Sequence, residues 1–438
     1  MPDHQKEALG HSCRHHFYLA DGFTNFNHGS YGSVTRPVAQ YQRTLFERQE
    51  AYPDLFFRKE YRELLKGASS GINAILRSVD FDAYGSAEEP PIVLMLSTAY
   101  AMVPFTVDFL KKHVGERFVP LVVMVDFPLS SEQAIVDAVR AALDKYGHRG
   151  VMAVFSHIAS VPPVILPVER LAALCREKGN INVVIDGAHA LGQIPFDLSD
   201  LADKGVDFYV ANAHKWLYGP KGTAIFFVRR SKHDTVRPTV ISSDYKDDFQ
   251  GSFEYTGTRD YTAFCALDAC LDFRKRFGDA EIMAYLKKLA DEGGQLLAKN
   301  WQTELAAPPE MSAAMATVRL PVSEWAVAER LQRDLFERYQ TYVVCFATPL
   351  PLRFVTIPRE DVIVFASDGR ELPPDVDPTE GSKRMFWMRL SAQIYLELSD
   401  FQLLGDRVLE LLREYAKEMD AATEADARRV SDTVRIGA

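Results

Sequence analysis

The sequence predicts an α/β fold: a mainly parallel central sheet flanked by helices, with a smaller α+β domain after it. Three observations carry the prediction. Short β-rich apolar runs recur from about residue 90, helical stretches separate several of them, and long helices replace the alternation after about residue 265. Strands joined through helices lie parallel, because a parallel pair needs a long crossover, and both sheet faces are then covered.

The runs are "IVLML" (92–96), "LVVMVDF" (121–127), "VMAVFSH" (151–157), "INVVIDG" (181–187), "VDFYVA" (206–211) and "TAIFFV" (223–228). Between them, "SSEQAIVDAVRAALDKYG" carries Ser130 and Gln133 at capping-box spacing, with Gly147 just past its end. "LPVERLAALCREKG" has Pro167 near its first turn and Gly179 as a terminator. "SDGRELPPDVDPTEGSK" (367–383) reads as a solvated loop, and the stretch after Met419 as a disordered tail. In such sheets ligands sit beyond the strand C-termini, so chemistry is expected just after the apolar runs.

Bulk properties narrow the function. A chain of 438 residues exceeds one core, so a second domain is expected. A net charge of −10 argues against nucleic acid or an anionic membrane as partner. No apolar run approaches membrane-spanning length, and "MPDHQKEALGHSCRHH" has no signal-peptide core. Five cysteines without a CxxC predict a reduced, cytoplasmic setting. Four early histidines read as a solvated arm, and with no HExxH no metal is expected.

Residues 211–222, "ANAHKWLYGPKG", place Lys215 between two apolar runs. A lysine there loses solvation, which favours the neutral amine that Schiff-base chemistry needs. Alone it reads as a side chain snorkelling from a strand end. Asp186 closes "INVVID" and His189 follows in "DGAHALGQ"; alone, Asp186 reads as a turn former or helix cap. An acid, a histidine and a buried lysine on adjacent strand ends suit pyridoxal 5'-phosphate (PLP). The lysine forms the imine, the carboxylate keeps the pyridine nitrogen protonated, and the histidine bonds the ring oxygen.

"VVIDGAHALGQIPFDL" followed by "GVDFYVANAHKWLYGPKGTAIFFVRR" resembles the class V aminotransferase family. The branch it looks most like holds the isopenicillin N epimerase-like enzymes and the ergothioneine-pathway C–S lyases. The likeness runs from "FNHGSYGSVTRP" (26–37) to "MRLSAQIYLELSDF" (388–401). It implies a PLP-dependent transferase fold of type I and a homodimer. It also implies an arm and substrate-side segment at 1–32, a large PLP domain at 33–265, a small domain at 266–419 and a tail at 420–438.

By the same resemblance, Lys215 holds the cofactor, Asp186 pairs with the pyridinium, and His189 contacts the ring oxygen. Asn212 and His214 fall on the phosphate side. Ser69, Ser70 and Gly71, in "GASSGINAILRSV" (67–79), look like the phosphate loop, though alone they read as a helix start. Tyr100 matches the aromatic that stacks on the ring, though a lone tyrosine after a strand is usually packing. Thr258, in "YTGTRDYTA", resembles a residue lent to the neighbour's phosphate. Arg389 suits a substrate α-carboxylate, its other reading being a salt bridge. His28 and Tyr31, in "NHGSYG", would line the substrate side, or else serve as turn and core residues.

The expectation is therefore a PLP enzyme acting at Cα of an amino acid. β-Elimination from a cysteine conjugate, as in hercynylcysteine sulfoxide lyases of ergothioneine biosynthesis, is favoured over epimerisation or transamination. Two departures stand out. Desulfurases of this class carry a cysteine on a mobile C-terminal loop, whereas Cys345 lies inside β-rich "TYVVCFA", so desulfurase is disfavoured. At Lys66–Gly67, "YRELLK" runs into "GASSGIN" with no strand between, which admits a non-catalytic isoform.

Overall fold

The computed structural model describes residues 6–61, 71–86, 88–114, 117–243, 245 and 248–436, with side chains to 419. Each of the six apolar runs forms a strand: β1 (Ile92–Leu96), β2 (Val119–Val123), β3 (Gly150–Ser156), β4 (Asn182–Asp186), β5 (Phe208–Asn212) and β6 (Ala224–Val228). β2, β1, β3, β4 and β5 run parallel in that order, and β6 closes antiparallel on β5. β1 and β4 are buried along their whole length, as their apolar centres require in a sheet covered on both faces. One core lies on each face, with Leu94, Val183 and Ile185 on one side and Val93, Val122 and Val184 on the other.

The second part of the chain holds an antiparallel sheet of β7 (Met315–Arg319), β8 (Val344–Thr348) and β11 (Met385–Ser391), in the order β8-β11-β7. Two more strands cross the expected boundary. β9 (Ile363–Phe365) joins the large sheet parallel to β2, and β10 (Glu371–Leu372) pairs with β9. The loop expected at 367–383 thus contains a sheet edge, and strands of two and three residues are too short to show a periodicity. A third core unites the arm (Cys13, Phe17, Phe26), the lysine segment (Trp216, Tyr218) and the C-terminal elements (Leu286, Met388, Phe401).

Several local expectations change. The helix Glu132–Tyr146 takes Ser131 at its N-cap with no side-chain cap bond, so the Ser130–Gln133 capping box does not form. Gln133 instead bonds Asp137 and Arg170. In the helix Val168–Gly179, Asn180 is the left-handed terminator at φ 52°. Gly179 serves close packing, since a Cβ there would lie 2.0 Å from the Gly147 carbonyl oxygen. The final helix runs from Leu398 to Ile436, into the stretch expected as a tail. Its "EADARRV" composition favours helix. Among the described residues β6 pairs on one side only, with Ile225, Phe226 and Phe227 half-buried. The Lys66–Gly67 junction lies outside the described residues.

The strand registry is secured by Asp207, fully buried just before β5. It accepts from the Val183 N–H at 3.0 Å and pairs with Arg176 at 2.6 Å, tying β4, β5 and a covering helix together. Asp207→Ala is expected to cost about 3 kcal/mol, because it strands a buried N–H and half of an ion pair. Urea unfolding checks this, and an unchanged midpoint would contradict it.

Candidate active site

The C-terminal ends of β3, β4 and β5 converge on a cavity of about 420 Å³. Ser156, Asp186 and Asn212 are the last residues of those strands, and all three line it. His189 enters from the turn after β4, and Lys215 from the short helix Ala213–Trp216 after β5. Lys215, Asp186 and His189, distant in sequence, therefore share one wall because parallel strands end on the same side of a sheet.

Lys215 is 8% exposed. Burial lowers its pKa to about 8; the Asp186 charge opposes the shift and the Arg389 charge adds to it. The amine sits 3.1 Å from His189 Nε2, and 6.0 Å from the centroid of the Tyr100 ring. Burial pushes the Asp186 carboxyl up, against the Ala188 N–H, which donates to it at 3.0 Å, and the Lys215 charge. Burial, then the charges of Lys215 and Arg389, holds His189 well below the usual imidazole range. The Trp216 indole N–H donates to His189 Nδ1 at 3.3 Å.

The segment carrying Lys215 is clamped from three sides. His28 Nε2 lies 2.9 Å from the Lys215 carbonyl oxygen, and His28 Nδ1 lies 3.2 Å from the Tyr395 hydroxyl. Arg274 donates to the Trp216 carbonyl at 2.8 Å and to Gly192 at 3.1 Å. Gly32, at φ 67°, brings the arm so close that a Cβ would lie 1.8 Å from the His214 carbonyl oxygen.

The other expected site residues divide. Tyr100, Asn212, His214, Gly71 and Tyr31 line the cavity, and Tyr31 and Tyr100 are exposed there. His214 is anchored 3.1 Å from the Thr223 carbonyl oxygen, and burial lowers its pKa. Ser69 and Ser70 lie outside the described residues. His28 is corrected: it is fully buried behind Lys215 with both ring nitrogens committed, and burial keeps it neutral, near a pKa of about 3. Thr258 opens instead onto a separate recess with Phe57, Tyr61 and Tyr255.

Arg389 stands behind the wall. Its guanidinium donates to Ser160 O at 2.9 Å, Asn27 Oδ1 at 2.6 Å and Ser30 Oγ at 2.5 Å, while its buried Nε has no partner among the described residues. Ser30 and Ser160 line the cavity. Burial draws the arginine pKa down to about 10, as expected for a cation whose partners here are neutral. The salt-bridge reading of Arg389 thus finds no carboxylate among its hydrogen-bond partners. Sequence reasoning missed Ser160, Ile158 and Met102, although "SHIAS" follows β3 directly, where a lining residue is to be sought.

The aminotransferase class-V model matches residues 123–333. A putative L-cysteine desulfhydrase 2 from Oryza sativa subsp. japonica is 31% identical, over 76% of this chain and 68% of its own length. The hercynylcysteine sulfoxide lyase of Schizosaccharomyces pombe is 25% identical, over 92% of this chain and 97% of its own. Among solved structures, a C-DES mutant with glycine covalently linked to its PLP cofactor superposes with a TM-score of 0.67 at 16% identity, covering 90% of this chain and 98% of that one. The chain belongs to the class V aminotransferase family and is a PLP-dependent enzyme of that family.

Proposed function

We propose that the protein is a C–S lyase that cleaves a cysteine conjugate by β-elimination, with hercynylcysteine sulfoxide as its substrate. The observation that carries this reading is the buried amine of Lys215, sharing one cavity wall with Asp186 and His189. The residues fit PLP: a low-pKa amine to hold it, a buried carboxylate to pair with its ring nitrogen, and a tyrosine ring facing the amine. Asn212, His214 and Gly71 line the phosphate side of that assignment. Bound PLP supplies an electron-accepting ring that acidifies Cα–H.

The chain supplies the rest. Lys215 takes the Cα proton as general base, a role its lowered pKa suits near neutral pH. The Cβ–S electron pair then leaves with the sulfur, which departs protonated as a sulfenic acid, and one water hydrolyses the remaining three-carbon enamine to pyruvate and ammonia. Arg389 and its partners Ser30 and Ser160 orient the α-carboxylate. The exposed rings of Tyr31 and Tyr100 leave room for an S-substituent and offer π-faces to a cationic one. The similarity to desulfhydrases and to a hercynylcysteine sulfoxide lyase supports sulfur elimination over the alternatives. Thr258, on its separate recess, completes the site of a second subunit in a homodimer. The compartment is the cytoplasm, a reducing one suited to five buried free cysteines.

The PLP-loaded protein, given hercynylcysteine sulfoxide and S-alkyl cysteines, is expected to release pyruvate, and Lys215→Ala to abolish the release. Arg389→Lys should raise KM more than it lowers kcat, because a bidentate fork is replaced by a point charge. Recovery of racemised substrate would instead support an epimerase, a cosubstrate-dependent amino transfer an aminotransferase, and no turnover the non-catalytic isoform.

The Lys215 amine gives a second test. Only the free base captures an aldehyde, so PLP capture should accelerate about tenfold per pH unit below the Lys215 pKa of about 8 and level off above it. Asp186 raises that pKa, so Asp186→Asn should move the levelling point to lower pH. A rate that keeps climbing to the ordinary lysine range would show that Lys215 is not desolvated.

A further inference from the structure

His189 lies between two groups with opposite demands on its ring. Trp216 Nε1 is 3.3 Å from His189 Nδ1, and an indole nitrogen is a donor only. The Nδ1 atom must therefore carry a lone pair. A neutral imidazole has one N–H, so His189 Nε2 carries it, 3.1 Å from Lys215 Nζ. The only amine that accepts a hydrogen bond is the uncharged one, so the contact is complete when Lys215 is the free base.

The indole is not free to turn away. Trp216 is fully buried, and Arg274 holds its carbonyl at 2.8 Å. A Cβ on Gly29 would lie 3.0 Å from Trp216 Cζ2, so the arm packs directly against the indole. Gly192, at φ 88°, approaches the Trp216 carbonyl so closely that a Cβ would lie 2.7 Å from its oxygen. On the other side Gln193 holds the His189 carbonyl at 2.5 Å and is itself anchored by the Ala314 N–H at 2.8 Å.

We propose that Trp216 is a positioning residue that fixes His189 in its Nε2–H tautomer, so that the imidazole presents a proton to Lys215 and to the group that Lys215 carries. Trp216 acts through His189 and does not line the cavity. Its value for catalysis rests on the PLP reading, but the tautomer itself does not. The charged or titratable groups acting on this pair are Asp186, His214 and Arg389. None of them is a hydrogen-bond partner of His189 Nδ1.

The test uses cofactor-free full-length protein with 15N-labelled histidine, read by long-range 1H–15N correlation at pH 9, with the His189 signal assigned through His189→Gln. Wild type should show the Nε2–H tautomer. Trp216→Phe, which removes the donor but keeps an aromatic ring, should shift His189 toward Nδ1–H or a mixture. The freed Nε2 lone pair then accepts from a Lys215 ammonium, so the free-base fraction falls, and PLP capture at pH 7 should slow about tenfold. An Nδ1–H signal in wild type overturns the proposal without any variant. So does a folded Trp216→Phe protein with an unchanged tautomer. Loss of lyase activity with the tautomer confirmed would instead count against the proposed function alone.

Discussion

Lys215 is desolvated because the backbone that carries it is wedged between the sheet and a core drawn from three distant parts of the chain. Asn212 ends β5, and the turn that follows immediately buries Trp216 and Tyr218 in that core, with Tyr218 edge-on to Phe17 and Phe273. Carbonyl groups in this turn are held by side chains from the arm (His28) and from the second part of the chain (Arg274). Arg274 is itself buried and paired with Asp279. A lysine on an exposed loop would keep its water and its ordinary pKa; here the packing removes the water.

The buried charges are arranged so that no single one dominates. Desolvation disfavours the charged form of Lys215, and Asp186 partly restores it. The same burial disfavours the charged Asp186, and Lys215 partly restores that. Arg389 adds a third charge behind the cavity wall, bonded to the neutral oxygens of Ser160, Asn27 and Ser30. In the proposed function, the ring nitrogen of the cofactor would face Asp186 and the substrate carboxylate would face Arg389.

Much of this was legible in the sequence, for physical reasons. Six of the eight described strands of the large sheet announce themselves because strands covered on both faces are rich in apolar residues. Lys215, Asp186 and His189 stand out because polar groups directly after such runs fall on one edge. What was not legible is set by tertiary contact. Nothing local marks His28 as a clamp on the Lys215 carbonyl rather than a cavity residue. The three neutral partners of Arg389 come from segments near residues 27, 30 and 160. β9 is held by pairing to β2 and β10 by pairing to β9, rather than by their own pattern, and the helix to Ile436 follows a propensity that low hydrophobicity masks.

The central claim is that Lys215 is the residue that holds the cofactor. Borohydride reduction of the PLP-loaded protein, followed by proteolysis and mass mapping, tests it most directly. The pyridoxyl mass should appear on the peptide containing "AHKWLYGPK" and be assigned to Lys215 rather than Lys221. A label on any other lysine, or none on a protein that retains PLP, would contradict it.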